Sequence, residues 1–503
     1  MNVVRVLKQS IHSGVFFVLQ AVSRLLLAVA LGKSLSLHEY GSYTLVATAI
    51  AMAATVISFS TYQYYVREVP GRGEGESATI FKSVVGVQML LTCGVAALIC
   101  ATPIVLPSFW RSFGLPEGGG LVLAMGGLLV LDTLAAELSR FLYARKEIEK
   151  GNIVIFLQTG FWAVVMFGIF LSRPASINLT LLLITWMGSL VMAVSYGVIH
   201  AGPKTLRNAP FKPALYYTAI LFGAPLMLSY SIVLVNWIGR FILAGAHSSE
   251  VMGAFTYHLN IIFMIAAISA PLLSSPLEPY ITEAHNTGQI GRSGQLLTMA
   301  LRYRVMLIIP IVAVIIVWDE KIIGLMAKSD YAQAGLLMLL SPIPLLGILG
   351  STFERVLFLE RKIAAIGRSY VYAACSQLIL FVILVPTNPY VGGALATDAG
   401  LAILVCLLRY SARSTSMVIN PAMGRIALAA VPCFASTWAV SVGLAPFLSR
   451  LPLFVVSVGI SAGIYLYAAY LLRVFSSEEI RALGDFLSGG RRRVVALFVG
   501  QPQ

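Results

Sequence analysis

The sequence predicts an all-α polytopic membrane protein of about fourteen transmembrane helices, and three observations lead to this prediction. Of the 503 residues, 58% are hydrophobic and only 11% are charged, whereas a soluble chain carries about a quarter charged residues. The mean hydropathy is +0.87. The apolar residues fall in helix-sized runs and not in the alternating segments of an outer-membrane barrel. Soluble enzymes, secreted domains and disordered chains are therefore excluded.

The apolar runs give the individual spans, because crossing the hydrocarbon core takes about 20 apolar residues. Breaks between the runs are too short to hold a soluble domain, and the first run follows no small-residue cleavage site, so it is expected to be a retained helix. The fourteen runs are 10–31, 40–62, 81–104, 119–143, 152–172, 178–199, 216–244, 251–275, 297–318, 334–358, 366–386, 389–411, 424–446 and 452–473.

The distribution of positive charge predicts the orientation of the spans. Lys and Arg exceed Asp and Glu by 35 to 21, a net charge of +14. With both termini in the cytoplasm, most of the 35 cations fall in cytoplasmic segments, as the positive-inside rule requires. The predicted external segments hold only Lys33, Arg111, Arg173, Lys321, Lys328 and Arg450. The excess charge therefore indicates topology and contact with anionic membrane lipids, and no nucleic-acid partner is expected.

An internal repeat divides the chain. Arg145-Lys146, after the fourth run, matches Arg361-Lys362, after the tenth, and Arg24 matches Arg240 at the same offset. Parallel six-helix repeats are one plan of alternating-access transporters. The predicted units are a six-helix lobe over 1–212, a second six-helix lobe over 213–415, two extra helices over 416–474 and a cytoplasmic tail over 475–503.

Three segments carry a resemblance to a known family: 32–43 (GKSLSLHEYGSY), 239–245 (GRFILAG) and 279–283 (PYITE). With them the chain resembles the polysaccharide transporter family, which includes the Wzx-type O-antigen flippases of the multidrug/oligosaccharidyl-lipid/polysaccharide flippase superfamily. One departure is Gly239, because the family usually has an acidic residue immediately before the arginine of the seventh helix.

The resemblance implies a function, a location and partners. It implies a flippase that moves an undecaprenyl-diphosphate-linked oligosaccharide across the bacterial inner membrane, for surface polysaccharide such as the O-antigen of lipopolysaccharide. A polysaccharide polymerase and glycosyltransferases would be its protein partners. We expect no catalysis and no cofactor, because the sequence lacks a nucleotide-binding loop and a metal-ligand cluster, and five scattered cysteines form no disulfide framework.

Two arginines inside spans are the candidate substrate-binding residues. A charge at the centre of a transmembrane helix costs about 2.5–3.5 kcal/mol on insertion scales, so it normally faces a wet or paired interior. Arg24 and Arg240 would place guanidinium groups on both walls of one cleft, where they suit a diphosphate. The alternatives are an ion pair between Arg24 and an acidic neighbour such as Asp132, and snorkelling of Arg240 to the headgroups.

Three carboxylates inside spans are candidate ion-coupling residues: Asp132, Glu137 and Asp398. A desolvated carboxylate can carry a proton in a coupled cycle. Asp132 is alternatively a counter-ion of Arg24. Glu137 is expected to pair with Arg140, three residues further along the same helix.

Two other functions stay open from the residues. An ion-coupled multidrug exporter of the same superfamily would favour acidic cavities for cationic drugs. A membrane scaffold for glycan-assembly enzymes would need no transport at all. Replacing Arg24 would separate a flippase from a drug exporter, since a flippase depends on this cation and a drug exporter does not.

Overall fold

The computed structural model describes residues 3–58, 61–70, 72–105, 107–108, 119–415, 417, 423–445 and 449–474, without the side chains of some helical residues, chiefly 3–15 and 267–279. All regular structure in these ranges is helical, which confirms the predicted all-α class. Twelve helices are long and apolar enough to cross a membrane, and each coincides with a predicted run. The runs 10–31 and 251–275 lie in two further helices. The predicted tail, 475–503, falls outside the described residues.

The first lobe contains six long helices and two short ones. Small and apolar side chains fill its interior, where Leu128, Leu182 and Ala163 have no exposed surface. The elements are α1 (Val3–Ser34), α2 (Leu37–Ser58), α3 (Thr61–Glu68), α4 (Glu74–Val105), α5 (Gly119–Ala144), α6 (Ile148–Ser172), α7 (Leu179–Ala201) and α8 (Pro203–Asn208).

The second lobe repeats this plan, and two additional helices pack against one of its members. Its elements are α9 (Ala214–Met227), α10 (Ser231–Ala246), α11 (Ser249–Asn286), α12 (Ile290–Met326), α13 (Leu336–Leu359), α14 (Ile363–Leu384) and α15 (Pro389–Ala412). The additional pair, α16 (Met423–Gly443) and α17 (Arg450–Leu471), packs on α12.

The seventh predicted run is a broken helix. Its two halves, α9 and α10, are joined by a 3₁₀ turn, Leu228–Tyr230. Pro225 stands in the last turn of α9, where it removes a backbone donor and its ring cannot continue a regular helix. The break therefore lies next to the Gly223-Ala-Pro225 segment, and it turns Tyr230 toward the space between the lobes.

The repeat is visible in the way that α5 and α13 end, but its register differs from the sequence match by one residue. Lys146 and Arg361 both have a positive φ, 64° and 57°. In each case the next amide bonds back to a carbonyl five residues earlier, from Glu147 to Leu142 and from Lys362 to Leu357, which is the Schellman ending. Lys146 is thus the equivalent of Arg361, and the pairing of Arg145 with Arg361 is corrected.

Contacts between the lobes differ at their two ends. At one end α1 and α2 pack on α11, and α1 also touches α12; this end, with loops 35–36, 247–248 and 327–335, is called the seam end. At the opposite end α9 leans on α3 and α4, and an open space remains beside it; this end is called the cavity end. In the predicted topology the seam end faces away from the cytoplasm.

Candidate functional site

Arg240 reaches from the second lobe to the first. Its Nη1 donates a hydrogen bond of 3.0 Å to the hydroxyl of Thr48, on α2. The hydroxyls of Tyr40 and Tyr43 lie within electrostatic range of the guanidinium. Its Nε has no hydrogen-bond partner and it forms no ion pair within the described part of the chain. Arg240 therefore faces the junction between the lobes and does not extend toward the headgroups.

A steric contact explains why position 239, where the sequence departs from the family pattern, is a glycine. A Cβ at this position would lie 2.6 Å from the ring of Phe381 on α14, so any side chain would force α10 away from α14. The Phe381 ring itself is fully buried in the core. The helix therefore carries no acidic neighbour that would neutralise Arg240.

Arg24, on α1, has an exposed side chain. The outward face of α1 carries the exposed residues Val18, Val22 and Leu25. Arg24 is two helical turns from Leu31, which is buried in the core, so these two share a face. Arg24 is therefore exposed although it lies on the core-facing side of α1.

Both arginines lie near one tyrosine. The hydroxyl of Tyr43, on α2, is within electrostatic range of Arg24 and of Arg240. The expected ion pair of Arg24 with Asp132 is absent from the described side chains, since Asp132 is held elsewhere. Arg24 and Arg240, called the arginine pair below, thus bring two cations from opposite lobes to one place with no carboxylate bound to either in the described residues.

Asp132 belongs to a polar contact inside the first lobe. Its Oδ1 accepts a hydrogen bond of 2.9 Å from the side-chain amide of Gln158. Gln158 lies in a π-helical segment of α6, Leu157–Phe161, whose carbonyl at Leu157 accepts from Ser189 on α7. Single-turn π segments inside helices often occur at functional sites. The sequence signal for this contact is weak, because nothing in the pattern of 157–161 marks a π turn.

Glu137 and Arg140 form an ion pair, as their spacing predicts. The Glu137 side chain has no exposed surface, and it also accepts hydrogen bonds from Thr61, at 3.3 Å, and Gln88, at 3.2 Å. Because its partners come from α3 and α4, the carboxylate joins three elements of the first lobe. Arg140 remains partly exposed and faces the space between the lobes.

Asp398 stands apart from the other candidates. It lies on α15, and its buried Oδ1 has no hydrogen-bond partner in the described part of the chain. Nothing there connects it to the arginine pair or to Asp132. Within the same ranges no group of three or more His, Cys, Asp or Glu side chains could hold a metal ion.

A cavity of about 280 Å³ opens at the cavity end, between the lobes. Both lobes contribute polar and aromatic side chains to it. Sequence reasoning missed this site, because its members come from six helices and a 3₁₀ turn that are far apart in the chain. The residues that line this inner cavity are Thr55, Ser58, Tyr62, Arg140, Pro225, Ser229, Tyr230, Glu354, Phe358, Ile363, Ile366 and Gly367.

At the seam end the lobes are joined by backbone-directed hydrogen bonds. The ammonium of Lys33 donates to the carbonyls of Gly324 and Ala327, at 2.9 and 2.7 Å. In return Lys328 donates to the carbonyls of Ser34 and Leu35, at 2.8 and 3.1 Å. Each lysine therefore ends on a helix terminus of the other lobe.

Aromatic rings and close backbone contact complete the seam. Tyr40, Tyr257 and Tyr331 pack edge to face, with ring centroids 5.0–5.6 Å apart. The hydroxyl of Tyr257 donates to the carbonyl of Ala28 at 3.0 Å. A Cβ on Gly41 would lie 2.1 Å from the backbone oxygen of Ser249. The lobes are thus in direct backbone contact above the arginine pair, which closes the seam end.

Comparison with known proteins supports the fold. No protein-family model and no curated protein matches the sequence. Among solved structures the chain is similar to the lipid II flippase MurJ in an inward closed conformation, with a TM-score of 0.74 and 13% identity over 93% of this chain and 99% of that one. It is also similar to an inward-facing multidrug resistance MATE family transporter of the MOP superfamily, with a TM-score of 0.59 and 15% identity over 79% and 96% of the two chains.

These likenesses define the architecture. The chain is an all-α polytopic membrane protein built from two helical lobes. It shares the fold of these solved structures, and the two extra helices α16 and α17 lie beyond the lobes. At 13–15% identity the likeness concerns the fold, and the function is argued from the site.

Proposed function

We propose that the chain is a transporter that moves an anionic lipid across the membrane, with the arginine pair as the binding site for its diphosphate. The observation that carries this proposal is that Arg24 and Arg240, from opposite lobes, both lie near Tyr43, each without a carboxylate partner in the described ranges. Two charges so placed cost several kcal/mol in an apolar bundle unless an anion or water compensates them.

The chemistry of guanidinium groups fits a diphosphate better than a cation or a neutral drug. Each guanidinium presents paired N–H donors that match two oxygens of one phosphate. One arginine comes from each lobe, so a bound diphosphate joins both lobes, and its release accompanies their separation. That linkage is what alternating access requires of a substrate site.

The finer substrate proposal follows the sequence resemblance. The lipid is an undecaprenyl-diphosphate-linked oligosaccharide, moved across the bacterial inner membrane from the cytoplasmic side, with a polysaccharide polymerase and glycosyltransferases as partners. MurJ is a lipid II flippase, and its similar fold supports a lipid-linked substrate. In this proposal the cavity end opens to the cytoplasm, where both chain termini lie.

We also propose that buried carboxylates couple transport to an ion. Asp132 and Asp398 are the stronger candidates, because each carboxylate lies among spans without an ion pair in the described residues. Glu137 is the weaker candidate for ion coupling. Its carboxylate is satisfied by the ion pair with Arg140 and by hydrogen bonds from Thr61 and Gln88, which suits a structural role.

A multidrug exporter is the second candidate, favoured by the similar fold of the MATE transporter and by Glu354, a carboxylate that lines the inner cavity. A cationic drug would bind that carboxylate and be repelled by the arginine pair. The two candidates therefore place their essential charges at opposite ends of the cleft.

The test uses purified protein in liposomes and a fluorescent undecaprenyl diphosphate, whose exposure on the outer leaflet is followed by dithionite quenching. Arg24→Ala and Arg240→Ala should each slow flipping by about 100-fold, because a bidentate charged contact is worth roughly 1.5–3 kcal/mol and both phosphates depend on it. Arg368→Ala, which replaces an exposed arginine, is the matched control. Flipping that survives both substitutions would overturn the arginine pair as the binding site. Absence of flipping in the wild type, together with efflux of a cationic dye that survives both substitutions, would favour the drug exporter.

A further inference from the structure

The inner cavity differs from the arginine pair in both shape and chemistry. It is enclosed by the two lobes, with Thr55, Tyr62 and Arg140 on one wall and Tyr230 and Glu354 on the other. We propose that the inner cavity is a sugar-binding subsite, which receives the uncharged rings of the oligosaccharide while the arginine pair holds the diphosphate. This proposal rests on the function proposed above.

Aromatic faces in the cavity favour a sugar. Tyr62 and Tyr230 are 38% and 45% exposed, although they stand within the cleft, and Phe358 lines the same space. An aromatic ring offers a flat apolar face and, in tyrosine, a hydroxyl at its edge. A pyranose has the complementary surface, with C–H bonds on its faces and hydroxyls around its rim.

The polar groups of the cavity are suited to hydroxyls and not to a second anion. The charge of Arg140 is balanced by its ion pair with Glu137. Across the cavity, Glu354 accepts a hydrogen bond of 2.7 Å from Tyr370, and no other bond to this carboxyl occurs in the described residues. The cavity therefore offers donors and acceptors together, without the excess of positive charge found at the arginine pair.

The spacing of the two sites fits one extended headgroup. Thr48, which binds Arg240, and Thr55, which lines the cavity, both lie on α2. They are two helical turns apart, on the same face and separated by about 10 Å at 1.5 Å per residue. A diphosphate at the arginine pair thus places the first sugars attached to it at the level of the cavity.

The experiment compares two probes on the purified full-length protein in nanodiscs: undecaprenyl diphosphate, and undecaprenyl diphosphate that carries a neutral disaccharide. Wild-type protein should bind the disaccharide probe about tenfold more tightly, the effect of one or two added hydrogen bonds and a stacked ring. Tyr230→Ala and Glu354→Leu should abolish this difference and leave the affinity for the sugar-free probe unchanged, which also shows that the variants are folded.

Two further variants localise the effect. Tyr230→Phe keeps the ring and should retain most of the tenfold preference. Tyr372→Ala removes a tyrosine that is 60% exposed on α14 and outside the cavity, and it should behave as wild type. A preference that is lost in Tyr372→Ala, or kept in both Tyr230→Ala and Glu354→Leu, overturns the subsite.

The outcomes for the wild type separate this proposal from the proposed function. If the two probes bind with equal affinity, the sugar subsite is wrong and the diphosphate site stands. If neither probe binds, the proposed function is wrong and the subsite falls with it.

Discussion

The two ends of the cleft are built on opposite principles. At the seam end, lysine ammonium groups and a tyrosine hydroxyl bind backbone carbonyls of the other lobe, and the helices touch at glycine. At the cavity end, the charged groups that line the inner cavity are satisfied within their own lobe, Arg140 by Glu137 and Glu354 by Tyr370. A hydrogen bond of 3.5 Å from the hydroxyl of Tyr216 to the carbonyl of Ile57, and the packing of α9 on α3 and α4, join the lobes there. Charged groups therefore bind the lobes to each other at the seam end and not around the inner cavity.

The two ends therefore differ in the interactions that must change during transport. Polar groups satisfied inside one lobe lose nothing when the lobes move apart, while bonds between lobes must be replaced by water. Opening the seam end should therefore break more polar bonds between the lobes than opening the inner cavity does. Substitutions at the two ends should have separable effects.

The largest effect is expected at Glu137. Replacing it with leucine leaves Arg140 without its counter-ion and frees Thr61 and Gln88, which should lower the stability of the first lobe by about 3 kcal/mol. Thermal unfolding of the detergent-solubilised protein measures this loss, with Glu76→Leu, an exposed position, as the control. Because Glu137 acts within one lobe, hydrogen exchange at the seam should stay as in wild type. Faster exchange there would show that the seam depends on packing inside the first lobe.

The next effect is expected at Gly41. Alanine there would place a methyl group 2.1 Å from the backbone oxygen of Ser249, and such overpacking costs about 1–3 kcal/mol. The seam should open, and the amide of Lys328, which bonds to the carbonyl of Gly32 at 2.9 Å, should exchange at least tenfold faster. Gly188→Ala, which meets no neighbour within 4 Å, should exchange at the wild-type rate. Unchanged exchange in Gly41→Ala would show that the seam is not closed in solution.

A somewhat smaller effect is expected from the lysines. The double variant Lys33→Met, Lys328→Met removes the hydrogen bonds of both ammonium groups to the opposite lobe and should weaken the seam by about 1–2 kcal/mol, since these groups are partly hydrated. Hydrogen exchange of the backbone amides over 327–335 measures this weakening of the seam. Lys204→Met, an exposed substitution, is the reference. If the single variants sum to less than the double, the two lysines act together.

The smallest effect is a pH dependence at the mouth of the seam. Glu250 lies ahead of the predicted span 251–275 and bonds to His38 of the other lobe at 3.0 Å. A hydrogen bond from Ser248, with the nearby His38, lowers the pKa of this carboxyl below its ordinary 4.5. Its contribution is therefore complete above pH 4.5 and is lost as the pH falls through the lowered pKa. Seam exchange should rise modestly on acidification, and Glu250→Gln should remove that rise.

Sequence reasoning reached the helices because the membrane imposes a length and a composition on each span. It also reached the Glu137–Arg140 pair, since residues three apart share a helix face whatever the tertiary structure. Arg24 and Arg240 stand out in the sequence as charges inside apolar spans at one repeat offset; both lie near Tyr43 in the structure, and their role in binding stays a prediction.

The remaining features depend on tertiary contact or on fine backbone geometry. The partner of Asp132 is Gln158, on a π turn that the apolar pattern of α6 does not reveal. The inner cavity combines residues from both lobes, so no local pattern contains it. The sequence match of Arg145 with Arg361 is off by one residue because it rests on basic side chains alone. The backbone places Lys146 and Arg361 at the same left-handed position.

The exchange of lysines across the seam has a further consequence. The carbonyl end of a helix carries partial negative charge, and here the end of α1 is neutralised by Lys328 and the end of α12 by Lys33. If the lobes separate, both helix ends lose their lysine at the same time, because each lysine belongs to the opposite lobe. A partly opened seam therefore keeps neither of these hydrogen-bonded contacts. The seam is accordingly expected to be either closed or open, without a stable intermediate.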